Sequence, residues 1–158
     1  MSRVVDHSEE VRGVYIPIEG SRIVLPNAAV AEVISYVTPK DIALESPEWF
    51  SGEIVWRDVT VPVISFDRAL GNVPVDVPDG QRRIAIFNTL NGSTNLPFIG
   101  IITKSIPRLV RIKASNIIEG REDEQSSSLI HYNVILGGEE AIIPNLDYLE
   151  EMVAKVLA

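Results

Sequence analysis

Short runs rich in Val and Ile, each closed by Gly, Pro or Asn, succeed one another along almost the whole chain. β-Branched side chains are stiff and pack well on a pleated surface, so runs of this kind read as strands. They are Val14 to Ile18, Ile23 to Leu25, Val33 to Val37, Glu53 to Trp56, Val59 to Ser65, Arg83 to Leu90, Leu96 to Thr103, Leu109 to Lys113, Ile130 to Leu136 and Ala141 to Ile143. Many short strands at close spacing predict an all-β barrel or sandwich. Sustained helical spacing is confined to the C-terminus, where Leu146, Leu149, Met152, Val153 and Val156 fall on one face. Asn145 is placed to cap that helix, with Asp147, Glu150 and Glu151 near its start and Lys155 near its end, as the helix dipole favours. Single turns are expected at Pro47 to Phe50 and Phe66 to Leu70, and loops at 72–81, 91–95 and 120–128. Residues 1–12 read as a flexible tail.

The chain also resembles itself. Val63 to Leu70 aligns with Ile143 to Leu149, which sets Asp67 on Asp147, eighty residues later. Before them, Ile54, Val55 and Trp56 align with Val134, Ile135 and Leu136, and the turn Arg57–Asp58 with Gly137–Gly138. A second set matches at an offset of 76: Leu25, Val30, Val33 and Ile34 against Ile101, Ile106, Leu109 and Val110. A loop insertion reconciles the two offsets, and a genuine repeat implies two small, similar barrels. Gly–Gly suits a tight hairpin, where positive φ costs nothing extra. Arg57–Asp58 suits it less, so it reads either as a surface type I turn or as a place where side chains are wanted for contact.

Composition narrows the function. Fourteen Lys and Arg against twenty-two Asp and Glu give a formal charge of −8, which disfavours nucleic acid and anionic membranes as partners. With 46% hydrophobic residues the chain is too apolar to be disordered. It has no Cys, so disulfides and thiolate metal sites are excluded. No apolar run approaches the roughly 18 residues of a membrane span, and a charged N-terminus lacks the apolar core of a signal peptide, which points to the cytoplasm. Neither His7 nor His131 has a companion at metal spacing. Ser126 to Ser128 lie in a polar loop without a nucleophile elbow, and no glycine-rich phosphate loop occurs. No cofactor is expected, and catalysis is the weakest of the readings.

Certain segments resemble the CheW-like family of bacterial chemosensory coupling proteins. They are Ala28 to Ile34 (AAVAEVI), Pro47–Glu48–Trp49, and Gly52 to Phe66 (GEIVWRDVTVPVISF), followed by Gly100-Ile-Ile-Thr and by Leu146–Asp147 before the last helix. The likeness covers residues 13–157. Two positions depart from the family pattern: its Arg-Gly turn is Arg57–Asp58 here, and its acidic residue after the Gly-aliphatic strand is Lys104. The opening from Pro26 to Ile34 is similar to the pilus-associated, ChpC-type coupling proteins. The resemblance implies two intertwined, SH3-like, five-stranded β-barrels related by a pseudo-repeat, dividing near 72–81, with a C-terminal helix. It implies a non-catalytic adaptor between the cytoplasmic tip of a methyl-accepting chemoreceptor and the regulatory domain of a CheA-type histidine kinase. A groove between the barrels would receive a helical hairpin, and sheet edges offer a second mode of pairing. The alternative is an SH3-like peptide-binding or assembly module not tied to receptors. By the same resemblance Val30, Glu32, Arg57 and Asp58 fall near partner-facing positions. From the residues alone, Val30 is equally a core strand residue, Glu32 a solvated one, and Trp49 either a contact hot spot or a loop anchor. Trp56 reads as core.

Overall fold

The computed structural model describes residues 10–42, 45–73, 76–90, 95–120 and 127–158. Among these, the chain runs β1 (Glu10–Ile18), β2 (Ser21–Pro26), β3 (Val30–Ser35), β4 (Phe50–Trp56), β5 (Val59–Ile64), α1 (Phe66–Ala69), β6 (Arg83–Asn88), β7 (Phe98–Ile102), β8 (Arg108–Lys113), β9 (Ile117–Glu119), β10 (Ile130–Leu136), β11 (Glu139–Pro144) and α2 (Leu146–Leu157). Two sheets form, in the orders β8-β1-β2-β11-β10-β9 and β3-β6-β7-β5-β4. Each has one parallel contact, β2 with β11 and β5 with β7, among otherwise antiparallel neighbours. Read in order, β3, β6, β7, β5 and β4 correspond one for one to β8, β1, β2, β11 and β10. This is the twin-barrel architecture expected, with β9 added at one edge.

The repeat holds down to single bonds. Ser65 and Asn145, eighty residues apart, cap α1 and α2 by accepting from Arg68 N–H and Tyr148 N–H. Their own amides donate to Trp49 C=O and Leu129 C=O, again eighty residues apart. The 76-residue offset also maps strand to strand, β2 onto β7 and β3 onto β8. Each sheet nevertheless draws strands from both sides of 72–81, so severing the chain there would divide neither sheet from the other.

The central strands look continuously apolar because both their faces are buried. On β1, Tyr15 points into one barrel while Val14, Ile16 and Ile18 point to a core shared by both. On β6, Ile84 and Ile86 line the other barrel, and Ala85 and Phe87 join the same shared core. Small residues make room: a Cβ on Gly100 would meet the Ile84 and Val63 side chains at 2.9 and 3.3 Å. Helix α2 closes the shared core with Leu146, Leu149 and Val153. Leu149 is fully buried, so Leu149→Ala is expected to cost about 3 kcal/mol, read as a lower urea midpoint with native circular dichroism.

Several boundaries differ from expectation. β1 begins at Glu10, inside the stretch read as a tail, because Glu10 to Arg12 pair with Lys113 to Arg111 of β8; residues 1–9 lie outside the described residues. β3 starts at Val30, released by a 3-10 turn at Asn27–Ala29, and ends at Ser35, two residues before Val37. β9 carries no strand signal of its own, being three residues between polar segments. The expected loops contain 74–75, 91–94 and 121–126, which fall outside the described residues. The turn at Pro47–Phe50 is present, closed by Phe50 N–H to Pro47 C=O.

Candidate partner-binding site

β3 and β4 are the two edges of their sheet, and the contacts between them bring those edges together. Trp56, on β4, donates its indole Nε1–H to Glu32 Oε2 on β3. Arg57 Nη2 lies 3.5 Å from the same oxygen. Its guanidinium sits 4.9 Å from the centre of the Trp56 ring, and that ring meets Phe98 edge-on at 5.0 Å. Glu32, Trp56, Arg57 and Phe98 thus form one patch at the seam of the barrel. Glu32 is not a solvated bystander; its carboxylate is partnered within the chain. Trp56 packs on the barrel's interior cluster, as a core reading requires, yet its polar edge belongs to the patch.

The turn that carries Arg57 is not type I. Arg57 has φ +48° and Asp58 φ +63°, and their repeat partners Gly137 (+59°) and Gly138 (+82°) share the sign. Two positive φ values in a two-residue hairpin define a type I′ turn, which matches the right-handed twist of the strands. L-residues there are strained. The turn sets Arg57 at the seam: its side chain remains 69% exposed while touching both Trp56 and Glu32. Asp58 is exposed beside it.

The remaining candidates lie elsewhere. A bulge between Val30 and Glu32 turns the strand, and Val30 packs half-buried against the shared core. Trp49 also rests on that core and meets Phe50 edge-on at 6.1 Å. With Tyr148, Met152 and Val156 of α2 it lines an open groove of ≈ 650 Å³. Val55 is missing from the sequence candidates although strand parity signals it: Ile54 and Trp56 face inward, so Val55 faces out, 76% exposed. Among the described residues, no group of three or more His, Asp or Glu is arranged to hold a metal ion, and no helix is long and apolar enough to cross a membrane.

The model of the CheW-like domain family matches residues 12–153. The chain belongs to the CheW-like family. A search of curated proteins finds no match. Among solved structures, the scaffolding protein TtCheW from Thermoanaerobacter tengcongensis superposes with a TM-score of 0.73 at 20% identity, covering 92% of this chain and 91% of that one. Membership places the chain among non-catalytic scaffolds of chemotaxis and in the two-barrel SH3-like fold. The repeat partner of Asp58 is a glycine, Gly138 with φ +82°, at the same sign of φ as Asp58 with φ +63°. Asp58→Gly is therefore expected to raise stability by about 0.5–1 kcal/mol, read as an increased melting temperature.

Proposed function

We propose that this protein couples the cytoplasmic tips of chemoreceptors to the regulatory domain of a CheA-type histidine kinase, acting in the cytoplasm at membrane-associated receptor arrays. Within the family we assign it to the pilus-associated, ChpC-type coupling proteins, a reading supported by the opening Pro26 to Ile34. The observation that carries the proposal is the Arg57 patch. A guanidinium held over an indole on a tight turn is an exposed cation with little conformational freedom left to lose, and it can grip a carboxylate through two bonds. Val55 adds exposed apolar surface on the same hairpin, and Asp58 sets the polar rim. Val30 and Trp49 serve a second region, around the shared core and α2. Co-purification with a CheA-type histidine kinase of the same organism tests the reading. Capture of that kinase supports it; failure to capture either the kinase or a receptor tip, with the protein folded, overturns it. The groove beside Trp49 favours a second reading, a peptide-binding assembly module, which the same experiment separates by the absence of kinase.

A further inference from the structure

Beside their shared apolar core, the two barrels also meet at a polar joint built from main chain and one buried carboxylate. The β1–β2 hairpin of the first sheet reaches across to the second. There Glu19 N–H donates to both Asp67 oxygens, at 2.9 and 3.1 Å. Lys104 N–H donates to Pro17 C=O at 2.8 Å, and Lys104 Nζ lies 3.6 Å from Glu19 Oε2. Asp67 is only 7% exposed. Its repeat mate Asp147 occupies the same position in the first turn of α2 and is exposed. Helix capping alone therefore does not require burial of this aspartate. Beside Asp67 lies a cavity of ≈ 430 Å³ into which Glu19, Asp41, Arg68, Asp76, Arg82 and Lys104 also face.

We infer that Asp67 is the latch of the inter-barrel joint, and that its negative charge holds the joint looser than a neutral side chain of the same shape would. Burial raises the Asp67 carboxyl above its ordinary value; the Glu19 amide bond opposes this, the Glu19 carboxylate adds to it, and Lys104 opposes it. In an opened joint the carboxyl is hydrated and returns to its ordinary value. The closed joint therefore binds more protons, and proton binding favours whichever state holds protons more firmly. Acidification tightens the joint. Raising the pH through the window between the ordinary and the raised values loosens it, and above that window it stays at its loosest.

Hydrogen exchange of the Glu19 and Lys104 amides tests this between pH 4 and pH 8, with rates divided by the intrinsic exchange rates. In the natural protein the opening constant should rise several-fold with pH, while core amides such as Ile101 show no matching change. Asp67→Asn should flatten the dependence and exchange more slowly than the natural protein at pH 7. Lys104→Met, which removes the opposing cation, should move the rise to higher pH. Protection independent of pH in the natural protein would overturn the inference, as would Asp67→Asn exchanging as fast or faster at pH 7 with native circular dichroism. Should Asp67→Asn not fold, the pH series of the natural protein and of Lys104→Met decides.

Discussion

Gly52→Ala is expected to destabilise the protein by on the order of 3–5 kcal/mol, a large fraction of the stability of a domain this size. Two effects combine. Gly52 has φ +132°, a conformation essentially reserved for glycine. A Cβ there would also fall 2.3 Å from the Lys40 carbonyl oxygen and 2.8 Å from its carbon. Those atoms cannot swing away, because Lys40 N–H and C=O are both bonded to Glu53 at 2.9 Å. The strain belongs to a bulge, where the register of β4 against β5 shifts between Phe50 and Gly52. Gly71→Ala is the matched control: φ is +87° but open space surrounds the added Cβ, so only the conformational cost remains, about 1 kcal/mol. Urea unfolding of both variants checks this. Equal costs would mean that the Lys40 segment yields and does not pin the β4 edge.

Arg57→Glu is expected to weaken capture of kinase or receptor tip at least tenfold, about 1.4 kcal/mol, while circular dichroism stays native. The charge reversal sets a second carboxylate beside Glu32 at the seam and takes the cation away from the Trp56 ring. It also presents the wrong sign to a carboxylate partner. Stability should change little, because the ion pair is exposed and such pairs contribute little, and because Trp56 still donates to Glu32. Arg57→Ala separates loss of attraction from added repulsion and should show an intermediate loss. Native affinity in both variants would remove Arg57 from the contact surface.

The elements are legible because their signals are local. Strand runs, the cap at Asn145 and the paired hairpins all come from neighbours in sequence, and the eighty-residue repeat is a comparison of such local patterns. The candidate site is legible only in part. Glu32 and Arg57 stand out separately, and nothing local joins residues that far apart; closure of a barrel does. Val30 falls beside Glu32 in sequence, but a bulge sends it to the shared core. The turn at Arg57–Asp58 is open in the sequence between type I and something more deliberate, since composition alone does not fix the sign of φ where neither residue is glycine.

What the sequence by itself determined is every strand but β9, the hairpins that join them, the C-terminal helix and the two-fold internal likeness, because side-chain alternation and turn chemistry act within a few residues. Tertiary structure alone decided which strands share a sheet, since β1 and β2 leave their neighbours in sequence to complete a barrel with β8, β10 and β11. It also decided that Asp67 is buried while its twin Asp147 is exposed. Local chemistry is the same at both aspartates; only the β1–β2 hairpin arriving over one of them makes the difference, and that arrival is driven by burying the second face of strands whose first face already lines a barrel.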